Sequence, residues 1–134
     1  MLGDTLGSVT GKVVLRRVLA AGPSATRTES TQEGTGNLLG VNFREMSTYE
    51  SELRPDGTLF GSGQGIYMGS GGEMATWVGQ GVGIFTKGGG VAFRGALYLY
   101  SASATWQRLN AVASVFEYEV DAAGNYKGTL AEWK

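Results

Sequence analysis

The sequence contains neither cysteine nor histidine, and only two prolines in 134 residues. Without cysteine there are no disulfides, no thiolate nucleophile and no zinc knuckle. Without histidine the chain lacks the commonest general base, the commonest metal ligand and the side chain that changes charge near neutral pH. No metal site and no cofactor is expected. No run approaches the roughly 18 apolar residues of a membrane span. The segment MLGDTLGSVTGKVVLRRVLAAG carries Lys12, Arg16 and Arg17 inside its only apolar stretch, so no signal peptide is read there. A cytoplasmic location is the expectation. Excess charge is missing as well: 11 basic and 12 acidic residues leave a net charge of -1. The chain therefore has no electrostatic footprint for nucleic acid or for an anionic membrane.

Glycine is what the chain has in plenty, with 23 residues. The apolar fraction of 42% is ordinary for a folded protein. Scarce proline argues against a low-complexity linker. At this length the chain can bury a real core, and residues 1–134 are expected to form a single domain.

Helical periodicity is nearly absent. Turn signals recur instead at Gly22-Pro23-Ser24, from Gly34 to Gly40, at Pro55-Asp56-Gly57, Ser70-Gly71-Gly72, Gly88-Gly89-Gly90 and from Asp121 to Asn125. The stretches between them are rich in Val, Ile, Tyr, Phe, Trp and Thr, the signature of antiparallel strands joined by short hairpins. The pattern predicts eight: 8–20, 26–37, 40–54, 58–68, 73–86, 91–102, 109–120 and 125–133. One short helical turn fits SATWQRLN, 103–110. Eight such strands suggest an all-β fold, an up-and-down barrel whose closure removes exposed edges. A two-sheet β-sandwich is the alternative.

A phrase in residues 60–85 nearly repeats: Gly61-Ser-Gly63-Gln-Gly65-Ile-Tyr67 returns as Gly79-Gln-Gly81-Val-Gly83-Ile-Phe85. A dinucleotide fingerprint needs G-x-G-x-x-G between a strand and a helix, whereas this is G-x-G-x-G. Strict alternation puts the three glycines on one face of a strand, which suits coiling or the close approach of another surface. Register follows from the turns. Arg54 pairs with Thr58 across a glycine-bulge turn, which sets Tyr49 opposite Gly63 and Thr48 opposite Gln64. A symmetric loop from Lys87 to Gly90 sets Gly79 opposite Tyr98 and Gly83 opposite Arg94. Symmetric closure of 103–108 sets Arg94 opposite Glu117.

Two faces result. One holds Phe60, Ile66, Met68, Met74, Val78, Val82, Ile84, Phe93, Leu97, Leu99, Val112 and Phe116, with Thr48, Glu50, Ser62, Gln64 and Gln80. It carries the greater aliphatic volume and is expected to be the interior. The other holds the glycines with Tyr49, Tyr67, Trp77, Arg94, Tyr98, Tyr100 and Glu117. It is expected outside, with rings lying across glycines. Rings left in water on this scale point to a homo-oligomer interface, assigned to Tyr49, Trp77, Arg94, Tyr98, Tyr100 and Glu117.

The stretches TYESELRPDGTLFGSGQG, RGALYLYSASATWQRLN and FEYEVDAAGNYKGTLAEWK resemble a family of small, uncharacterised prokaryotic all-β proteins. The resemblance covers most of the chain from about residue 36. It implies the fold and supplies no activity. The layout is also similar to calycin-like and allene-oxide-cyclase-like barrels, which bind or convert hydrophobic small molecules.

An apolar interior with a few convergent polar groups is the composition of a small-molecule pocket. Thr48, Glu50, Ser62, Gln64 and Gln80 are the candidate ligand-binding residues, although buried amides also bond one another. Arg94 and Glu117 read as a cross-strand ion pair, with an anionic-ligand contact or an interface contact as the alternatives. Glu50 and Glu52 would lie about 7 Å apart on one face, within the range of paired glycosidase carboxylates, and Glu45 and Asp56 complete that acidic run. No D-x-D-x-D-G calcium loop is present. The leading expectation is a barrel that binds a hydrophobic small molecule. The alternatives are an oligomeric assembly protein, or a cofactor-free cyclase or isomerase using Glu50 as acid or base.

Overall fold

The computed structural model describes residues 2–134. Eight strands run in chain order: β1 (Leu2–Gly22), β2 (Ala25–Leu38), β3 (Val41–Leu53), β4 (Leu59–Gly69), β5 (Met74–Phe85), β6 (Val91–Tyr100), β7 (Ala113–Val120) and β8 (Asn125–Trp133). Each pairs antiparallel with the next, and β8 pairs back with β1, so the sheet closes into a barrel. Closure excludes the sandwich. A 3-10 turn, Gln107–Ala111, lies between β6 and β7, overlapping the one segment expected to turn helically. No helix among the described residues is long and apolar enough to cross a membrane.

One loop design sets the register of four hairpins. Arg54 N–H donates to Thr58 O at 2.9 Å, and Gly57 N–H turns back to Arg54 O at 2.9 Å. Gly69 with Glu73, Thr86 with Gly90 and Asp121 with Asn125 repeat the pattern. The third loop residue is glycine each time, at positions 57, 72, 89 and 124, and each has positive φ. This is the three-residue hairpin with a glycine bulge. Asp56 braces the first of these turns by accepting from Thr58 N–H at 3.0 Å and Thr58 Oγ1 at 2.6 Å.

Tyr49 lies opposite Gly63, Thr48 opposite Gln64, and Arg94 opposite Glu117, as the turns implied. The β5–β6 hairpin differs by one residue. Its closing pair is Thr86 with Gly90, which sets Gly79 opposite Leu97 and Gly83 opposite Phe93 rather than Tyr98 and Arg94. A slip of one residue exchanges the faces of a strand, and the consequence is large. The glycine face of β5 continues into Phe93 and Leu97 of β6, and these are buried.

The interior assignment is therefore inverted for β3, β4 and β5. Tyr67 is buried, and Trp77 and Tyr49 are partly so. Ile66, Met74, Val78, Val82 and Ile84 are exposed. Phe93, Leu97 and Leu99 are buried as expected, while Tyr98 and Tyr100 are exposed. The physical reason is width. An eight-stranded barrel leaves room for little more than its own side chains, so most large rings enter where facing positions are stripped. A Cβ on Gly65 would collide with the Trp77 indole nitrogen, and one on Gly83 would sit 2.7 Å from the Phe93 ring. The repeated glycines line the inside and seat the aromatics there.

One end of the barrel is plugged. Leu6, Leu38, Phe43, Tyr67, Trp106, Leu109 and Leu130 form a single buried cluster. Trp106 is fully buried, and its indole N–H donates to Leu38 O at 3.0 Å. Ser101 and Asn110 exchange two hydrogen bonds, 2.7 and 3.0 Å, which fold the β6–β7 connection across this end. The opposite end is open. There β8 leaves β1 at Lys12, while β1 and β2 stay paired to Gly22 and Ala25, forming a flap that extends past the barrel.

Candidate functional site

The open end forms a mouth of about 460 Å³, with Leu53, Leu59, Phe85, Val91 and Val120 on its walls and Tyr49 and Phe93 in its lining. Tyr49 and Phe93 meet edge to face with ring centroids 5.9 Å apart. The same two rings border a chamber of about 90 Å³ deeper in the barrel, with Gln32, Glu45, Tyr67, Trp77, Leu97, Phe116 and Tyr118. Mouth and chamber thus meet at one aromatic pair.

The chamber's polar groups come from alternation on β3. Phe43, Glu45, Ser47 and Tyr49 point inward, while Arg44, Met46 and Glu50 are exposed. Glu45 is buried and accepts from Tyr126 Oη at 2.8 Å. Burial pushes its pKa above the ordinary carboxylate value. The Tyr126 hydroxyl, and more weakly Ser47 and Trp77, act in the opposite direction. Ser47 Oγ and Trp77 Nε1 incline toward this carboxyl, yet neither closes a hydrogen bond and both are buried. Pairing explains their convergence: Ser47 faces Gly65 on β4, and Gly65 faces Trp77 on β5.

A second polar cluster adjoins it. Tyr118 Oη donates to Gln32 Oε1 at 2.6 Å, and Tyr49 Oη lies 3.4 Å from Tyr118 Oη. Tyr118 stacks on Tyr126 with centroids 5.5 Å apart. Burial raises the pKa values of Tyr67, Tyr118 and Tyr126, and the Glu45 charge adds to this in each case. The phenols stay protonated and act as hydrogen-bond donors. The chamber is thus an apolar, ring-lined space with one carboxyl held toward its neutral form and an indole N–H without an acceptor. Such a site can hold a small neutral group and donate hydrogen bonds to an oxygen on it.

Thr48, Glu50, Ser62, Gln64 and Gln80 lie on the outer wall, not in the interior. They do come together. Thr48 faces Gln64, Glu50 faces Ser62, and Ser62 faces Gln80. Thr48 Oγ1 also lies 2.9 Å from Thr31 Oγ1. Glu50, expected as an interior acid or base, is exposed, and Glu45 is the carboxyl inside. The acidic run divides in the same way: Glu50 and Glu52 face solvent, while Asp56 braces its turn. Of the expected interface residues, Tyr49 and Trp77 point into the barrel. Arg94, Tyr98, Tyr100 and Glu117 lie outside. Arg94 Nε donates to Glu117 Oε1 at 3.1 Å, with both side chains about two-thirds exposed. Gln32, Tyr118 and Tyr126 carry no mark in the sequence, and Glu45 stands out there only as part of the acidic run. The signal for Glu45 was its place in the alternation Phe43-x-Glu45-x-Ser47-x-Tyr49, which groups it with rings.

No protein-family model matches the chain, and no curated protein does. Solved structures do resemble it. A conserved protein of unknown function from Rhodopseudomonas palustris is similar with a TM-score of 0.82 at 11% identity, covering 99% of both chains. A β-barrel-like protein from Acinetobacter baumannii is similar with a TM-score of 0.82 at 10% identity, over 99% of this chain and 96% of that one. An enzyme from Penicillium herquei is similar with a TM-score of 0.70 at 13% identity, over 96% and 92%. At these identities the likeness is one of fold, a small all-β barrel.

Proposed function

We propose that the barrel binds a small hydrophobic molecule, which enters through the mouth and places an oxygen-bearing end in the inner chamber. The observation that carries this reading is the unpaired indole N–H of Trp77, buried beside Glu45 at a cavity. A buried polar group without a partner costs about 1–3 kcal/mol, and a ligand acceptor would recover it. The similarity to calycin-like and allene-oxide-cyclase-like barrels supports the same reading, as does the mostly apolar lining. The chamber alone holds only about three waters at roughly 30 Å³ each, so most of the ligand would occupy the mouth. A cytoplasmic setting belongs to this proposal.

Thermal melts with medium-chain alcohols, fatty acids and aromatic ketones test it. A ligand at a hundred times its Kd should raise the Tm by roughly 10 °C. Trp77→Phe should weaken binding of oxygen-bearing ligands several-fold and leave their hydrocarbon analogues unaffected. A panel without a single Tm shift in the wild type would overturn the reading.

A second reading rests on a different surface. Ile66, Val78, Val82, Ile84, Tyr98 and Tyr100 are exposed on the adjoining outer faces of β4, β5 and β6. An apolar face of this kind favours self-association, with the Arg94–Glu117 pair joining β6 to β7 at its border.

A further inference from the structure

The flap presents a charge to the mouth. Two bulges in β1, between Val13 and Leu15 and between Val18 and Ala20, set Arg16 opposite Ser30 and Val18 opposite Thr28. Ser30 is buried, and all four residues line the mouth. Arg16 and Val18 therefore share the inner face of the flap, above the apolar walls. Val18 is 71% exposed there, an apolar side chain left largely uncovered by the described residues.

The other charged groups at the mouth are occupied. Arg17 pairs with Glu29 at 3.1 Å. The Asp121 carboxylate accepts from Ala123 N–H, Asn125 N–H and Asn125 Nδ2, all between 2.9 and 3.2 Å. Arg16 makes no ion pair among the described residues. A guanidinium at the rim of an apolar cavity, with an uncovered valine beside it, matches a ligand with an anionic head and an apolar body.

We infer that the mouth selects a monoanionic amphiphile, an aliphatic carboxylate with a neutral oxygen group at its far end, whose carboxylate is held by Arg16 while the far end descends past Tyr49 and Phe93 toward the inner chamber. This deepens the binding-barrel reading and rests on it. The head stays at the rim because a carboxylate cannot be buried beside Glu45 without an opposite charge. A bidentate guanidinium–carboxylate contact adds both energy and orientation.

ω-Hydroxydecanoate and 1-decanol, which share the hydroxyl that enters the chamber and differ in the carboxylate, titrated by calorimetry at pH 8 and low salt, separate the two claims. Wild-type protein should bind ω-hydroxydecanoate about tenfold more tightly than decanol, the gain expected of one partly exposed charge-assisted contact. Arg16→Gln should abolish that preference and leave decanol binding unchanged. Arg16→Lys should restore part of it, and added salt should erode it. Equal binding of the two probes by wild type, or an unaltered preference in Arg16→Gln, overturns the role of Arg16 and leaves the barrel reading intact. If neither probe binds, both fail.

Discussion

Glu45 is the residue on which the interior chemistry turns. Its carboxyl is out of water, and burial raises its pKa above the ordinary value of 4.5. The folded state thus holds this proton more tightly than the unfolded chain does. Stability should fall as pH rises from about 4.5 through the raised native value, and the loss is complete above that value. In Glu45→Gln this fall should vanish, so that urea midpoints measured from pH 4.5 to 9 decline for wild type and stay level for the variant. Parallel profiles would mean that Glu45 is not the buried titrating group. The exposed Asp56 and Asp121 act in another window. Their pKa values are lowered by local hydrogen bonds, so their contributions are lost only as pH falls below the ordinary 3.8. Glu45 was visible in the sequence as an acidic residue, but its burial was not. A glutamate on an alternating strand is usually on the wet face, and only the ring-filled interior reverses that.

At the scale of elements, the hairpins were legible and their use was not. All eight strands and most of their ends follow from turn residues and alternation. The segments RPDGT, GSGGE, TKGGG and DAAGN share one loop design with glycine in its third position. Its recurrence at TKGGG would have given the register of β5 on β6. Reading that loop as symmetric displaced β6 by one residue and joined the aliphatic face of β5 to that of β6. The β6–β7 connection shows the converse. Its helical turn was expected from SATWQRLN, but the plugging role of Trp106 depends on Leu38, 68 residues away. Trp106→Ala should cost about 3–5 kcal/mol, as expected for a fully buried tryptophan. Chemical denaturation measures this directly. A loss below about 1 kcal/mol would show that the 3-10 turn does not seal the barrel.

At the scale of the whole molecule, β4 and β5 turn Tyr67, Trp77 and the repeated glycines inside and leave the aliphatic side chains Ile66, Val78, Val82 and Ile84 outside. The outer face of β4, β5 and β6 then carries the self-association prediction. Val78 is exposed beside Tyr98 on the next strand, so Val78→Glu should leave the Tm nearly unchanged while converting an oligomer into a monomer. Light scattering at increasing concentration checks this, and a monomeric wild type would sink the second reading. The sequence by itself determined the eight strands, their antiparallel order and the turns that join them, because these depend on local backbone geometry and alternation. Which face turned inward was decided only on closure. Both faces of β3, β4 and β5 carry apolar side chains, so hydrophobicity did not distinguish them. The narrow interior did, since it seats most of its large rings opposite glycine.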